Sequence, residues 1–197
     1  MSHYYDSNPD LRSQPSEIVA HINSKQFTFI TDHGVFSRNA VDFGTKVLLE
    51  SISLQNPEHI LDVGCGYGVV GIVLKHLYPR ATITMFDVNE RAVALTRQNI
   101  LRYALNDIEV FHSDHVPKHL NNVSVAVINP PIRAGKQAVF QLYQEIHTAL
   151  KPSGECFIVI QKKQGANSSK LFLESLFNEV HIVKRHKGYY VFKAIKS

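Results

Sequence analysis

Chemistry in this chain centres on a short run of acceptors. Asn129-Pro130-Pro131-Ile132 follows the apolar stretch Val123 to Ile128. Proline fixes its own φ and pushes the residue before it into an extended conformation. The Pro130 carbonyl is therefore expected to be held rigidly, with no proline N–H beside it to occupy it. The Asn129 side chain adds a second acceptor oxygen. Two fixed acceptors can take both hydrogens of an –NH₂ group, which holds the nitrogen and leaves its lone pair free to attack an electrophilic methyl carbon. Such a site needs no strong base, because the gain comes from orientation and preorganised dipoles. Asn129, Pro130 and Pro131 are the catalytic candidates.

A second cluster could hold a nucleotide-like cofactor. Ile60, Leu61 and Val63 read as a buried strand, and glycine follows at 64, 66, 68 and 71 before a helical pattern begins. Glycine permits the tight turn and lets a ligand lie against bare backbone. Gly66, Gly68 and Gly71 fit the dinucleotide pattern G-x-G-x-x-G. Asp62, Gly64, Gly66 and Gly68 fit D-x-G-x-G-x-G, a pattern of S-adenosylmethionine binding. Asp87 lies ~20 residues on, where either cofactor needs an acidic partner for its ribose. The turn alone leaves both readings open. A nicotinamide-dependent oxidoreductase, however, has no use for Asn129-Pro130-Pro131.

Composition narrows the classes. The 197 residues fit one domain, and 44% hydrophobic residues are enough for a full core. No apolar run approaches the ~20 residues of a membrane span, and the polar start Met1 to Asp6 does not read as a signal peptide. Cys65 and Cys156 cannot build a disulfide framework and read as reduced thiols of a cytoplasmic protein. The eleven histidines place no H-x-x-x-H ligand pair on an expected helix, so no metal is expected. The formal charge of +4 and the pI of about 9.0 are compatible with a nucleic-acid partner.

The elements that must position these clusters follow from periodicity. Residues 1–16 read as an extended arm. Glu17 to Asn23 and Gln26 to Thr31 form a hairpin around Asn23-Ser24-Lys25. Residues 1–40 thus make an arm and hairpin belonging to the same domain as residues 41–197. Helices are expected over Val41 to Ile52, Val69 to Leu77, Glu90 to Leu105, Gln137 to Leu150 and Lys170 to Phe177. Leu101 and Ala104 are expected on the core face of the third, with Asn89 as its N-cap. Strands follow at Ala81 to Val88, Ile108 to His112, Val123 to Ile128, Cys156 to Ile160, Val180 to Val183 and Tyr189 to Ala194. Lys151-Pro152-Ser153-Gly154 is expected to stop a helix, and Arg185 to Gly188 to close a terminal hairpin. The alternation predicts an α/β fold: a doubly wound, seven-stranded, mostly parallel sheet with helices on both faces and one antiparallel strand inserted at the end. Gly64 to Gly68, Asp87, Asp114 and Asn129 then gather at the carboxyl ends of successive strands, where such sheets bind ligands.

With these residues in hand, the chain resembles class I S-adenosylmethionine-dependent methyltransferases of the small methyltransferase domain type, in particular bacterial ribosomal RNA guanine-N2 methyltransferases. Three blocks carry the likeness. They are Gly34-Val35-Phe36-Ser37-Arg38 with Val41-Asp42-Phe43-Gly44, Ile60 to Gly68, and Asn129-Pro130-Pro131. The resemblance implies S-adenosylmethionine as cofactor and ribosomal RNA or the small ribosomal subunit as partner. It implies that Asp62, Gly64, Cys65 and Gly66 follow the methionine portion and that Asp87 holds the ribose, with Val88, Asn89 and Asn129 in the same cofactor set. Asp114 would face the adenine amino group. Asn129 and Pro130 would grip the target amine. Phe36 and Arg38 at the mouth, with Ile132, Arg133, Lys136, Lys162 and Lys163, would meet the substrate. Ile132 stands where many relatives carry an aromatic residue, and the region before the domain holds a hairpin where some relatives carry a second domain. The same acceptor logic would serve a protein glutamine amide, an alternative substrate.

Overall fold

The computed structural model describes residues 12–197; the first eleven residues of the expected arm lie outside the described residues. An antiparallel hairpin opens the described chain, β1 (Ser16–Ile22) and β2 (Lys25–Thr31). Its turn is Asn23-Ser24 alone, with φ of 50° and 61°. Two successive positive φ values match the right-handed twist of the flanking strands, so Lys25 joins β2 and is not part of the turn.

The main sheet takes β3 (His59–Val63), β4 (Thr82–Asp87), β5 (Ile108–His112), β6 (Val123–Ile128), β7 (Leu150–Gln161), β8 (Glu179–His186) and β9 (Tyr189–Ile195). Their order is β5-β4-β3-β6-β7-β9-β8. All neighbours run parallel except β9, which is antiparallel to both β7 and β8. The doubly wound sheet and its inserted antiparallel strand are as the sequence predicts.

Side chains of successive strand residues point to opposite faces. Ile60, Val125, Val127, Phe157 and Val159 therefore join a core with the hairpin and with α1 (Phe43–Leu49), α2 (Val69–Leu77) and α3 (Glu90–Arg102). Leu61, Ala126, Ile128, Cys156 and Ile158 pack on the other face under α4 (Lys136–Ala149) and α5 (Ala166–Leu176).

Several boundaries differ from expectation. The first helix is shorter because Asp42 caps it, accepting Thr45 N–H at 2.9 Å, and Glu50 ends it. Lys151 to Gly154 does not separate helix from strand, since β7 already begins at Leu150 and the register on β6 shifts between Val123 and Val125. The fifth helix starts a turn earlier, at Ala166. Leu101 and Ala104 do not face the core. Leu101 is 79% exposed, and α3 ends at Arg102 with Ala104 at φ 48°. The inward stripe of α3 is apolar at Ala92, Val93, Leu95 and Ile100, and Thr96 and Asn99 are buried with them, Asn99 for a reason found in the hairpin.

The outward edge of β2 has no strand beside it. Its backbone is satisfied by side chains of α3. The Tyr103 hydroxyl accepts from Thr28 N–H at 2.7 Å and donates to Thr28 C=O at 3.0 Å. The Asn99 amide does the same for Ile30, at 2.7 and 2.9 Å, and its Nδ2 also donates to Tyr67 C=O at 2.8 Å. A buried amide with three partners resists removal, since each abandoned group keeps its desolvation cost. Asn99→Ala is expected to lower stability by ~2–4 kcal/mol and Tyr103→Phe by ~1–2 kcal/mol. Urea unfolding of both variants checks the order; equal, negligible losses would mean that the edge is satisfied by water.

Candidate active site

The glycine turn between β3 and α2 is built by carboxylates and carbonyls that take its amides. Gly64 and Cys65 N–H both donate to Phe86 C=O at 3.0 Å, and Gly68 N–H donates to Cys65 C=O at 2.9 Å. Gly66 N–H donates to Asp87 Oδ2 at 2.8 Å, and Gly71 N–H donates to Asp62 Oδ2 at 2.9 Å. From α3, the Thr96 hydroxyl donates to Gly66 C=O at 2.8 Å. Gly64 and Gly66 have φ of 71° and 57°, where a side chain is strained, and a Cβ on either would project into open space. The turn thus presents a bare surface to the pocket.

That arrangement discriminates between ligands. A dinucleotide turn offers free backbone N–H groups to a pyrophosphate. Here the N–H groups of Gly64, Cys65, Gly66, Gly68 and Gly71 are all engaged inside the protein, and two aspartates stand behind them. The environment is carboxylate-rich and suits a cationic ligand better than a phosphate. Asp62 is 2% exposed, and burial, with the Asp87 charge beside it and despite the Gly71 bond, raises its pKa to about 7. Burial also raises Asp87, against the pull of the Asn89 and Gly66 amides. The Cys65 thiol is pushed well up by burial and the two aspartates, so it stays protonated.

Asn129 lies across the pocket at the end of β6. Its Nδ2 donates to Asp42 Oδ2 at 3.1 Å and to Thr45 Oγ1 at 3.0 Å. A carboxylate only accepts hydrogen bonds, so the –NH₂ side must face Asp42. Asn129 Oδ1 is left as an acceptor with no protein donor among the described residues. Asp42 and Thr45, the residues that fix this orientation, carried no role in the sequence reading. Both sit in the Val41 to Gly44 block or just after it, and the N-cap spacing of Asp42 before Thr45 was the available signal.

The Pro130 carbonyl differs from expectation. It accepts Ile132 N–H at 2.8 Å, across Pro131 with φ −74° and ψ 77°. These angles are those of an inverse γ-turn. Proline rigidity holds the carbonyl, as the sequence predicts, but one of its two lone pairs is in use. A short 3₁₀ turn, Ile132–Ala134, follows directly.

The structure brings only part of the expected set into one pocket. Phe36, Asp62, Gly64, Cys65, Gly66 and Asn129 line it together with Ser37, Val41, Asp42, Thr45 and Tyr67. Tyr67 donates its hydroxyl to Ser37 C=O at 3.2 Å, tying the turn to the segment before α1. Phe36 is 47% exposed at the mouth. Asp87, Val88 and Asn89 stand behind the turn rather than in this pocket. Asn89 caps α3 and also donates to Gly34 C=O at 2.8 Å. Asp114 is exposed and faces His115 at 3.6 Å. Arg38 bonds Asn39, Ile132 is half-buried against the α4 side, Arg133, Lys162 and Lys163 are exposed on the turns after β6 and β7, and Lys136 is exposed at the start of α4. No group of three His, Cys, Asp or Glu suited to a metal occurs among the described residues, and no helix there is long and apolar enough to cross a membrane.

The Asp62 carboxyl has a consequence for stability. Its folded pKa lies above its unfolded value of 3.8, so the folded state holds the proton more tightly. The stability this gives is complete below about pH 4 and is lost as pH rises through about 7. Asp62→Asn should remove that slope, moving stability in favour of the variant by on the order of 1–2 kcal/mol between pH 5 and pH 7. Urea unfolding of both proteins across that window tests it; a pH-independent difference would mean that Asp62 titrates normally.

Comparison with known proteins identifies the family. The sequence matches the family Methyltransferase small domain over residues 26–193. The uncharacterized protein YbxB of Bacillus subtilis (strain 168) is 44% identical over 197 residues, covering 98% of either chain. Ribosomal RNA small subunit methyltransferase C of Pseudomonas putida (strain W619) is 37% identical over 122 residues, 62% of this chain and 36% of that protein. Ribosomal RNA large subunit methyltransferase G of Shewanella loihica is 25% identical over 199 residues, 94% of this chain and 49% of that protein. The chain thus spans between 36% and 49% of the length of these two ribosomal RNA methyltransferases. The T. thermophilus 16S rRNA N2 G1207 methyltransferase, solved in complex with AdoMet and guanosine, shares the fold with a TM-score of 0.83. It is 23% identical, and the match covers 98% of this chain and 53% of that one. The nicotinamide reading is set aside: the chain belongs to the methyltransferase small domain family.

Proposed function

We propose that this protein is an S-adenosylmethionine-dependent methyltransferase acting on an exocyclic amino group, the N2 of a guanine in ribosomal RNA. One observation carries the reading: Asn129 is locked by Asp42 and Thr45 with its Oδ1 bare, facing a pocket whose other wall is the glycine turn. The names of the ribosomal RNA methyltransferase relatives support the substrate class.

Bound against the turn, S-adenosylmethionine supplies an electrophilic methyl carbon. Asp62, Gly64, Cys65 and Gly66 hold its methionine end, where Asp62 complements positive charge in its ionised form, the form that a bound cation favours. Asp87, with Val88 and Asn89, serves the ribose, and Asp114 serves the adenine from the loop after β5. Asn129 Oδ1 and the second lone pair of the Pro130 carbonyl accept the two N–H groups of the target amine. The nitrogen lone pair is then directed into the pocket; formation of the N–C bond would be matched by breakage of the S–CH₃ bond, whose electron pair stays on sulfur in the demethylated cofactor, and the nitrogen gives one proton to water. Ile132 packs on a face of the base, while Phe36 and Arg38 border the entrance. Arg133, Lys136, Lys162 and Lys163 meet the RNA backbone. The N-terminal hairpin and residues 41–197 work as one unit, since they share a core.

Incubation with labelled S-adenosylmethionine and unmodified ribosomal RNA or subunits should place label on N2-methylguanosine. Label on a glutamine side chain instead would move the substrate to protein. Calorimetry should find one S-adenosylmethionine site per chain. Asn129→Ala removes one preorganised acceptor, so single-turnover transfer should fall ~10²–10³-fold with cofactor affinity retained. Near-normal transfer would exclude an amine held by Asn129.

A further inference from the structure

The basic character of this chain is concentrated at its end. From Val180 onward there is no Asp or Glu, against Lys184, Arg185, Lys187, Lys193 and Lys196. Insertion of β9 antiparallel between β7 and β8 decides where part of that charge goes. β8 runs parallel to β7, so the Lys187-Gly188 turn stands at the carboxyl edge of the sheet, the edge that carries Asn129. Ile158 of β7 pairs with Ile128, whereas Tyr189 pairs with Gln161, three residues further (161 − 158 = 3). At about 3.3 Å per residue the hairpin tip rises roughly 10 Å above the end of β6. It forms a raised wall at the same edge, two strands from β6 and outside the residues that line the pocket.

That wall is fastened to the helix that orients Asn129. The Tyr189 ring lies so close to Gly44 that a Cβ there would sit 2.7 Å from it. Only glycine at that position of α1 admits the ring. Phe43, next to the Asp42 cap, stacks on His186 with centroids 5.6 Å apart and meets Tyr189 at 5.6 Å. Lys187 Nζ stands 5.4 Å from the Phe43 ring centre, and Arg185 stands 5.3 Å from that of Tyr190. Lys162 N–H donates to Gly188 C=O at 2.8 Å, which joins the Lys162-Lys163 turn to the same tip. Among the described residues none of these cations forms an ion pair, and Phe43 keeps 38% of its surface exposed. Lysines alone would be an ordinary solvated rim. The exposed Phe43 and His186 rings and the half-buried Tyr189 and Tyr190, interleaved with unpaired cations, suit a single-stranded nucleic acid, because unstacked bases have free π-faces and each phosphate seeks a cation.

We propose that the β8–β9 tip and Phe43 form a platform for single-stranded RNA, taking the nucleotides that flank the target base while that base occupies the Asn129 pocket. The proposal rests on the RNA methyltransferase reading and adds the surface that receives the strand. A partner offering only duplex phosphates would use the cations and leave the rings idle.

The test uses the full chain and a fluorescent single-stranded RNA oligonucleotide, with its duplex as comparison, in anisotropy titrations over a range of salt. Arg185→Gln with Lys187→Gln should reduce the salt slope by about 1.4, the contribution of two single-strand phosphates. Phe43→Ala should weaken binding about 5- to 100-fold with the slope unchanged. S-adenosylmethionine affinity, measured by calorimetry, should match the unmodified protein in both variants and shows that they are folded. Unchanged RNA affinity and slope in both variants, in a protein that still methylates ribosomal RNA, would overturn the platform alone. Equal affinity for duplex and single strand would overturn the role of the rings. A protein that labels only protein glutamine and binds no oligonucleotide would overturn the substrate reading and the platform together.

Discussion

One carboxylate oxygen governs the geometry of the site. Asp42 Oδ2 accepts from Thr45 N–H, which starts α1, and from Asn129 Nδ2, which ends β6. A helix cap and the amide orientation are thereby the same interaction. The sheet brings Asn129 to the carboxyl edge, but nothing in a strand decides which way an amide faces. An acceptor-only partner does, because presenting Oδ1 to a carboxylate would set two acceptors against each other. The segment before α1 is therefore as much a part of the site as the turn after β3.

The glycine turn follows a related logic. Its amides are spent on Asp62, Asp87 and backbone carbonyls, so its chemistry toward a ligand is set by carboxylates and bare Cα positions, not by an N–H nest. The same G-x-G spacing would serve a dinucleotide if the amides pointed outward. Spacing alone could not separate the two cofactors; hydrogen-bond direction does.

Much of this was legible in the sequence, and the reasons differ by element. The β6 strand is a buried, mostly apolar run and β5 an alternating one at the sheet edge, each ended by polar or turn residues, so β5, β6 and α2 lie where periodicity predicts. Gly64, Asp62 and Asn129 converge because strand ends converge in this topology. Only the C-terminal end of the α3 stripe misled, since hydropathy favours Leu101 while tertiary packing asks for Asn99 and Tyr103 to serve as partners for a strand edge. Asp42 and Thr45 escaped notice because their role depends on a residue more than eighty positions away. The Ile132 bond to Pro130 escaped because a γ-turn is a property of ψ at Pro131, which proline does not fix.

The Asn99 amide has a thermodynamic consequence beyond its place in the core. It grips both edge groups of Ile30 and the carbonyl of Tyr67 in the glycine turn. Lifting the hairpin would strip this amide of its two bonds to Ile30 and leave it only the Tyr67 carbonyl, so opening the strand edge carries the desolvation cost of a buried amide besides the loss of packing. The Thr28 and Ile30 amides, held by Tyr103 and Asn99, consequently exchange with solvent more slowly than those of an edge faced only by water.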